Sequence, residues 1–495
     1  MPFAESSIVP ANQIYAQFLA SIRSRAYVRA FAASRKRSLK IHLLMVITLV
    51  LLWKLIGSPN VVLILGGCVF LAGSLVIARN EARSTPLLIT PLSWWFVWQA
   101  IALGLSPIWI GSRLGEMESV GFVNQTISID NVIEGFICYA IGSLAMHFSL
   151  QYSRPKEPVA ATHGNASPSS LAAIIVLWVS GIFFLFFGKY FTFLGSIVNP
   201  LQWCALSAAC SIAIAPPRAI PARSFIHWCA IFIAMAGCAV AQALVGLKFF
   251  IMLSALPLVW LFMLRRNLRK ALLMLIPALT FSYLYVVEPV ISNLRYIGHS
   301  ADIRGSLIEN AREGNLGEVA GIRHHSMAEQ LDGVASRSFS GIYVGYFVQD
   351  IKAHGLKMGA TMDYLLYAFI PRVFWPKKPN VSRGAWFTAY LGAAHSEDTA
   401  TSASALTAEG ELYWNFGLAG MIAGMAVLGW LIGRLVWQTA GADPRINPIC
   451  MLALLITISF VTGEDEAGSL LIDIIGSAIM LRLMLKSYEM FRKPR

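Results

Sequence analysis

Charged side chains are scarce in this chain. Asp, Glu, Lys and Arg make up 13% of its 495 residues, 57% are hydrophobic and the mean hydropathy is +0.63. A soluble domain carries about 25% charged residues, so a soluble protein is excluded and the bilayer is the expected solvent. Cysteine is thinly spread. All seven (Cys68, Cys138, Cys204, Cys210, Cys229, Cys238, Cys450) lie in apolar stretches without CxxC or zinc-ligand spacing, and they read as small core residues. The sequence has no nucleotide-binding glycine loop, no internal repeat, and no paired midplane carboxylates or matching broken helices of a coupled transporter. No cleavable leader is expected, because the first apolar run begins after forty residues and lacks a small-residue cleavage site.

Long apolar runs are plentiful. A membrane helix needs ~20 apolar residues, and twelve stretches qualify: 41–57, 60–78, 87–107, 128–150, 170–187, 192–215, 225–245, 247–264, 271–290, 418–437, 447–463 and 467–485. With the N-terminus placed inside, 24 of the 39 Lys and Arg fall on the cytoplasmic side. Four (Lys54, Arg113, Lys189, Lys248) fall at short outer turns and 11 in one long loop. Short loops follow the positive-inside rule, so both termini are expected in the cytoplasm. The net charge of +13 is then mostly a topology signal, and nucleic acid is not an expected partner. The basic stretch "QIYAQFLASIRSRAYVRAFAASRKR" (13–37) reads as an interfacial amphipathic helix on the inner leaflet.

The expected fold class is an all-α polytopic membrane protein with about twelve spans. A basic segment (1–40) precedes nine helices (41–290), a large outer loop (291–417), three more helices (418–485) and a basic tail (486–495). The loop holds 11 basic and 12 acidic residues and no convincing span. Loops of this length are usually functional when they are ordered. Its apolar pieces "FSGIYVGYFVQDI" and "MDYLLYAFIPRVFW" are expected to form short helices lying at the interface or over the outer mouth of the bundle.

One part of the loop concentrates the chemistry. "FIPRVFWPKKPNVSRG" (369–384) holds Arg372, Lys377, Lys378 and Arg383 beside Trp375, with Pro371, Pro376 and Pro379 stiffening the backbone between them. Fixed guanidinium groups suit bidentate contacts to phosphate oxygens, and a lipid-linked diphosphate at headgroup height would need them. Lys377, Lys378 and Trp375 read equally well as interfacial anchors. Arg295 follows the ninth helix closely enough to reach the same mouth. "GIRHHSMAEQLDG" supplies Arg323, His324, His325, Glu329 and Asp332. Adjacent histidines point in different directions on a helix, so this pair makes a poor metal site, and no metal is expected. "TATSASALTAEGELYWNFG" ends in Glu409, Glu411, Tyr413, Trp414 and Asn415. Embedded charges are few, and Asp473 in the last helix is expected to face the bundle interior or a wet cavity.

The stretch "IPRVFWPKKPNVSRG", the small-residue tract after it and "GELYWNFGLAGMIAGMAVLGWLIGRL" together resemble the end of the long outer loop in bacterial oligosaccharide repeat-unit polymerases. These are the Wzy-type O-antigen and exopolysaccharide polymerases, and the resemblance is most specific over 365–437. It implies a GT-C-like, metal-independent glycosyltransferase without a cofactor. A growing glycan on undecaprenyl diphosphate is the donor, and a hydroxyl of a new lipid-linked repeat unit attacks its anomeric carbon. Bacterial inner-membrane localisation and a chain-length regulator as partner belong to the same implication. On that reading Arg372 and Arg295 hold the diphosphate, with Arg323, Arg383, Lys377, Lys378 and Trp375 around it. Glu411 stands ahead of His324 and His325 as the base. The rivals are an O-antigen ligase with the same donor, a lipid-linked oligosaccharide flippase, and a scaffold protein. The proline-braced cations speak against the scaffold, and the scarcity of embedded charge against the flippase.

Overall fold

The computed structural model is almost entirely helical. It describes residues 25–83, 90–113, 120–122, 125–153, 170–188, 199–214, 216–217, 219–222, 224–245, 251, 253–264, 270, 272–282, 327–368, 370, 374–375, 377–378, 383–396, 406–439, 448–462 and 465–492. In chain order the elements are α1 (Arg25–Leu55), α2 (Pro59–Ala82) and α3 (Pro91–Gln99). A π-helical turn (Ala100–Leu105) then leads into α4 (Ser106–Arg113). A small antiparallel hairpin, β1 (Val120–Phe122) and β2 (Gln125–Ile127), precedes α5 (Ile129–Ser153). Next come α6 (Leu171–Phe187), α7 (Cys204–Ile214), α8 (Phe225–Val245), α9 (Leu256–Leu264) and α10 (Leu272–Ser282). The last part holds α11 (Met327–Ser338), α12 (Ser340–His354), α13 (Leu365–Ala368), α14 (Gly384–Tyr390), α15 (Ala408–Thr439), α16 (Pro448–Thr462) and α17 (Ala467–Arg492).

Among the described residues, six helices are long and apolar enough to cross a membrane, on α1, α2, α5, α8, α15 and α17, and shorter apolar helices lie at 171–187, 200–214 and 448–461. Exposed Leu44, Val176 and Ile233 give these helices greasy outer faces, as contact with lipid requires. α5 is the central post. In its apolar window 72% of residues are buried, against 28% for α1. Among the described residues, helix is present in every one of the twelve apolar stretches.

Two local expectations are corrected. The basic stretch near the N-terminus does not form a separate flat helix from Arg25 on, because no Gly or Pro interrupts 25–55 and the helix continues straight into the first apolar run. α12 does not lie across the bundle. It runs antiparallel along the first half of α5, with Gln349 bonded at Ser128 and Asn131 and Gly345 and Gly341 facing Gly135. The backbones meet so closely that a Cβ on Gly135 would clash with the Gly341 carbonyl oxygen, the small-residue packing that lets helices approach in lipid.

α15 breaks at Gly417, just before the expected tenth span at 418, and its first turns fold back on the rest. Gly417 adopts φ 67°, ψ −166°, a region open essentially to glycine alone. The chain reverses there, and Leu412 of the first leg packs beside Gly424 of the second. The short leg 408–416 descends beside α5, so that Glu409 reaches Gly142, and the second leg runs on to Gly429 beside Met146. The loop after α12 closes the leg, with Lys357 and Met358 N–H groups donating to the Trp414 and Asn415 carbonyls. Thr407 caps its start by accepting from the Gly410 N–H.

A polar chain is enclosed at the other half of α5. Ser38, His42, Glu81, Ser143, His147 and Gln151 come from α1, α2 and α5 and are all buried. The Ser143 hydroxyl donates to the Ala140 carbonyl (3.0 Å), so it accepts from His42 Nε2 (3.4 Å). His42 Nδ1 then accepts from His147 Nδ1 (3.1 Å), and His147 Nε2 accepts from Gln151 Nε2 (3.4 Å). Gln151 Nε2 and Ser38 Oγ both donate to Glu81 Oε1, each at 3.1 Å. This order fixes the tautomer of both imidazoles. Trp95 and Phe96 pack edge-on against both rings.

Candidate active site

Of the residues singled out in the sequence, Glu411, Arg383, Trp375, Lys377 and Lys378 are among those described. Arg295, Arg323, His324, His325 and Arg372, with Pro371, Pro376 and Pro379, lie outside the described residues. Asp332 ties α11 to α4, accepting from Trp109 Nε1 (2.7 Å) and Arg113 Nη2 (3.2 Å). Lys378 Nζ donates to the Ala368 and Ile370 carbonyls at 3.0 and 2.9 Å, where it closes the end of α13. Lys377 is exposed, and Trp375 is partly exposed with its ring against the edge of Tyr367.

The first leg of α15 sets Glu411 and Asn415 on one face, four residues apart. Glu411 is completely buried, and its Oε2 accepts from the Gly468 N–H (3.2 Å) at the start of α17. A helix N-terminus offers unpaired N–H groups and favours negative charge. Thr361 Oγ1 and Tyr364 Oη stand 3.5 Å from its two oxygens. Asn415 Nδ2 donates to Thr361 Oγ1 (2.6 Å) and to the Glu411 carbonyl (2.8 Å), which locks the 360–364 turn onto the leg. Burial, then the Glu411 and Glu466 charges, push the Tyr364 hydroxyl far above its ordinary range and keep it a donor.

Arg383 joins this group from the end of the proline-rich stretch. Its guanidinium pairs with Asp363 and lies over the Tyr364 ring (5.1 Å) and the Trp386 ring (5.4 Å). Its backbone N–H donates to Glu466 Oε1 (3.0 Å), which also accepts from Ser469 Oγ (2.8 Å). The structure therefore brings Arg383 and Glu411 to one place around Tyr364, although 28 residues separate them, and Glu466 of the "GEDEAG" turn completes the group.

A second group adjoins it through aromatic rings. Trp386 stacks on Tyr390 (5.5 Å, 27°), and Tyr390 meets Trp414 at 5.2 Å. Asp350 lies beneath. One carboxylate oxygen accepts from His354 Nδ1 (2.9 Å) and Tyr390 Oη (3.4 Å), and the other from Trp414 Nε1 (2.7 Å) and Lys357 Nζ (3.2 Å). Burial alone pushes the Asp350 carboxyl up. Hydrogen bonds from Trp414, Lys357 and His354, with the Lys357 charge, outweigh it and hold the group below the usual carboxylate range. Burial likewise works to lower Lys357, and bonds to Tyr390 and Asp350 overcome it and raise the ammonium.

Comparison of the chain with protein-family models, with curated proteins and with solved structures finds no match in any of the three. The site is read from its own geometry. It presents a guanidinium at one end, a carboxylate-held imidazole at the other, and an aromatic strip between them. Among the described residues no three His, Cys, Asp or Glu side chains stand together as metal ligands.

Asp350, His354 and Lys357 escaped the sequence reading, because "YFVQDIKAHGLK" looks like the polar end of an apolar helix. The available signal was the four-residue spacing of Asp350 and His354, which puts both on one helical face.

Proposed function

We propose that this chain is a membrane glycosyltransferase that polymerises undecaprenyl-diphosphate-linked repeat units on the outer face of a bacterial inner membrane. The observation that carries the reading is the meeting of Arg383 and Glu411 around Tyr364, with Trp386 and Tyr390 alongside. Arg383 and Glu411 come from the two segments that resemble repeat-unit polymerases. A departing diphosphate needs fixed cations, and a glycan needs flat aromatic faces and hydrogen-bonding side chains. In this reading Arg383 and Arg372, with Arg295, Arg323 and Lys377, surround the diphosphate. Glu411 holds the 360–364 turn against α17 from its buried position, and Trp375 sits at headgroup depth. Lys378 braces the stretch that carries Arg372. The proposal includes a GT-C-like arrangement of about twelve spans, cytoplasmic termini and a chain-length regulator as partner.

Deletion of the gene and glycan analysis on a gel test the reading. A polymerase loss leaves single repeat units on the acceptor. A ligase loss leaves none, and an unchanged ladder removes both activities.

A further inference from the structure

We propose that His354 is the general base that takes the proton from the attacking sugar hydroxyl, with Asp350 as the residue that positions it. This inference rests on the polymerase reading and names a catalytic group for it.

An aspartate and a histidine four residues apart on a helix are common, and most such pairs are solvated contacts. This one is built differently. The Asp350 carboxylate is only 6% exposed, and four donors from separate parts of the chain converge on it: His354 and Lys357, Tyr390 of α14 and Trp414 of α15. The carboxylate therefore has a fixed position, and so does the ring it holds. Because Asp350 accepts from Nδ1, the neutral imidazole carries its proton there and presents Nε2 as an unprotonated acceptor. His354 itself is 65% exposed, so Nε2 is open to a substrate. A base oriented by a buried third group and facing outward is the arrangement that proton abstraction requires.

The surroundings fit a sugar donor beside that base. The Trp386–Tyr390 stack leads from Arg383 towards Asp350, and Lys357 lies over the Tyr390 and Trp414 rings. A pyranose lying on that strip would have its leaving group towards the guanidinium and its attacking partner towards the imidazole. Glu411 is a poorer base on geometry, since it is fully enclosed and its oxygens face Gly468, Thr361 and Tyr364. The charged and titratable groups near His354 are Asp350, Lys357 and Tyr390, with Lys352 paired to Glu134 of α5 at the same end.

The step balances without an added reactant. The acceptor O–H bond breaks and its proton passes to His354 Nε2. The oxygen forms a bond to the anomeric carbon, and the bond from that carbon to the diphosphate breaks with its electron pair leaving on the diphosphate. The imidazolium then returns the proton to water.

The test uses the full-length protein in lipid, with lipid-linked oligosaccharide extracted from a strain lacking it, and follows chain elongation between pH 5 and 8. Wild-type turnover is expected to rise with pH, as a step that needs an unprotonated base requires. His354→Ala should lower kcat by about 10²–10⁴-fold with little change in KM, should flatten that pH step, and should be partly rescued by added imidazole. Asp350→Asn should lower kcat and displace the step. The exposed position of His354 makes misfolding of the alanine variant a poor explanation, and rescue by imidazole is a response that an unfolded protein does not give. Wild-type elongation with His354→Ala at full rate, or with an unchanged pH step, would overturn the base and leave the polymerase reading standing. Absence of elongation by the wild type would sink that reading, and the base with it.

Discussion

Two polar groups flank α5, and they are constructed on opposite principles. The one formed by Ser38, His42, Glu81, Ser143, His147 and Gln151 is sealed, and neighbouring residues satisfy its donors in a single consistent order. The one formed by Asp350, His354, Lys357, Tyr390 and Arg383 puts its carboxylate inside, keeps its two cations partly covered and leaves its imidazole at the edge. A closed hydrogen-bonded network fixes helices against one another, because an orphaned member costs more than the bond itself contributes. A half-open network leaves groups facing outward that are held in place and still able to react. The first group should govern folding and the second activity.

The largest effect that would sharpen this contrast is expected at Arg372, in the stretch that ends at Arg383. Arg372→Ala should abolish long chains at unchanged protein level. Arg372→Lys should restore them only in part, since a point ammonium cannot reproduce a bidentate guanidinium. A wild-type ladder from the alanine variant, on a gel at matched expression, would remove Arg372 from the site.

Substitution in the sealed group should act the other way. Glu81→Leu strands the Ser38 and Gln151 donors, at a cost of about 1–3 kcal/mol for each buried group left unsatisfied. Thermal unfolding in detergent should shift down clearly, while elongation per folded molecule stays near wild type. A variant that is fully stable yet inactive would move this network to the functional side of the comparison.

A smaller loss of stability is expected at the reversal between the two legs of α15. Gly417→Ala places a Cβ on a backbone with φ 67° and ψ −166°, a strain of about 1–3 kcal/mol. Because the first leg carries Glu411 and Trp414, both melting temperature and activity should fall. An unchanged melt would mean that the two legs do not pair through this turn.

The mildest test is acidification. Asp350 has its folded-state carboxyl held below the ordinary range by Trp414, Lys357 and His354, so it binds protons less readily folded than unfolded. Its contribution to stability is present above the ordinary carboxylate range and fades as pH falls through the depressed folded value. Trp414→Phe removes one of these donors (2.7 Å) and should make that acid-side loss smaller and complete at higher pH. Coincident acid profiles for wild type and variant would show that Asp350 is not held in this way.

By itself the sequence determined that this is a membrane protein and where its apolar helices lie, and it put the expected site in the 291–417 loop, on Arg372 and Arg295 first and Arg383 and Arg323 next, with Glu411 as base. Those properties are local. Hydropathy over a twenty-residue window and the run of prolines and cations at 371–384 need no knowledge of distant neighbours. The tertiary structure alone decided that His42, Glu81 and His147 form one chain, that 408–416 turns back at Gly417, and that Asp350 collects His354, Lys357, Tyr390 and Trp414. These groupings arise where helices remote in sequence pack face to face. A lone histidine or aspartate in an apolar stretch gives no sign of which distant donor will reach it, because its partner is chosen by close packing of side chains and not by spacing along the chain.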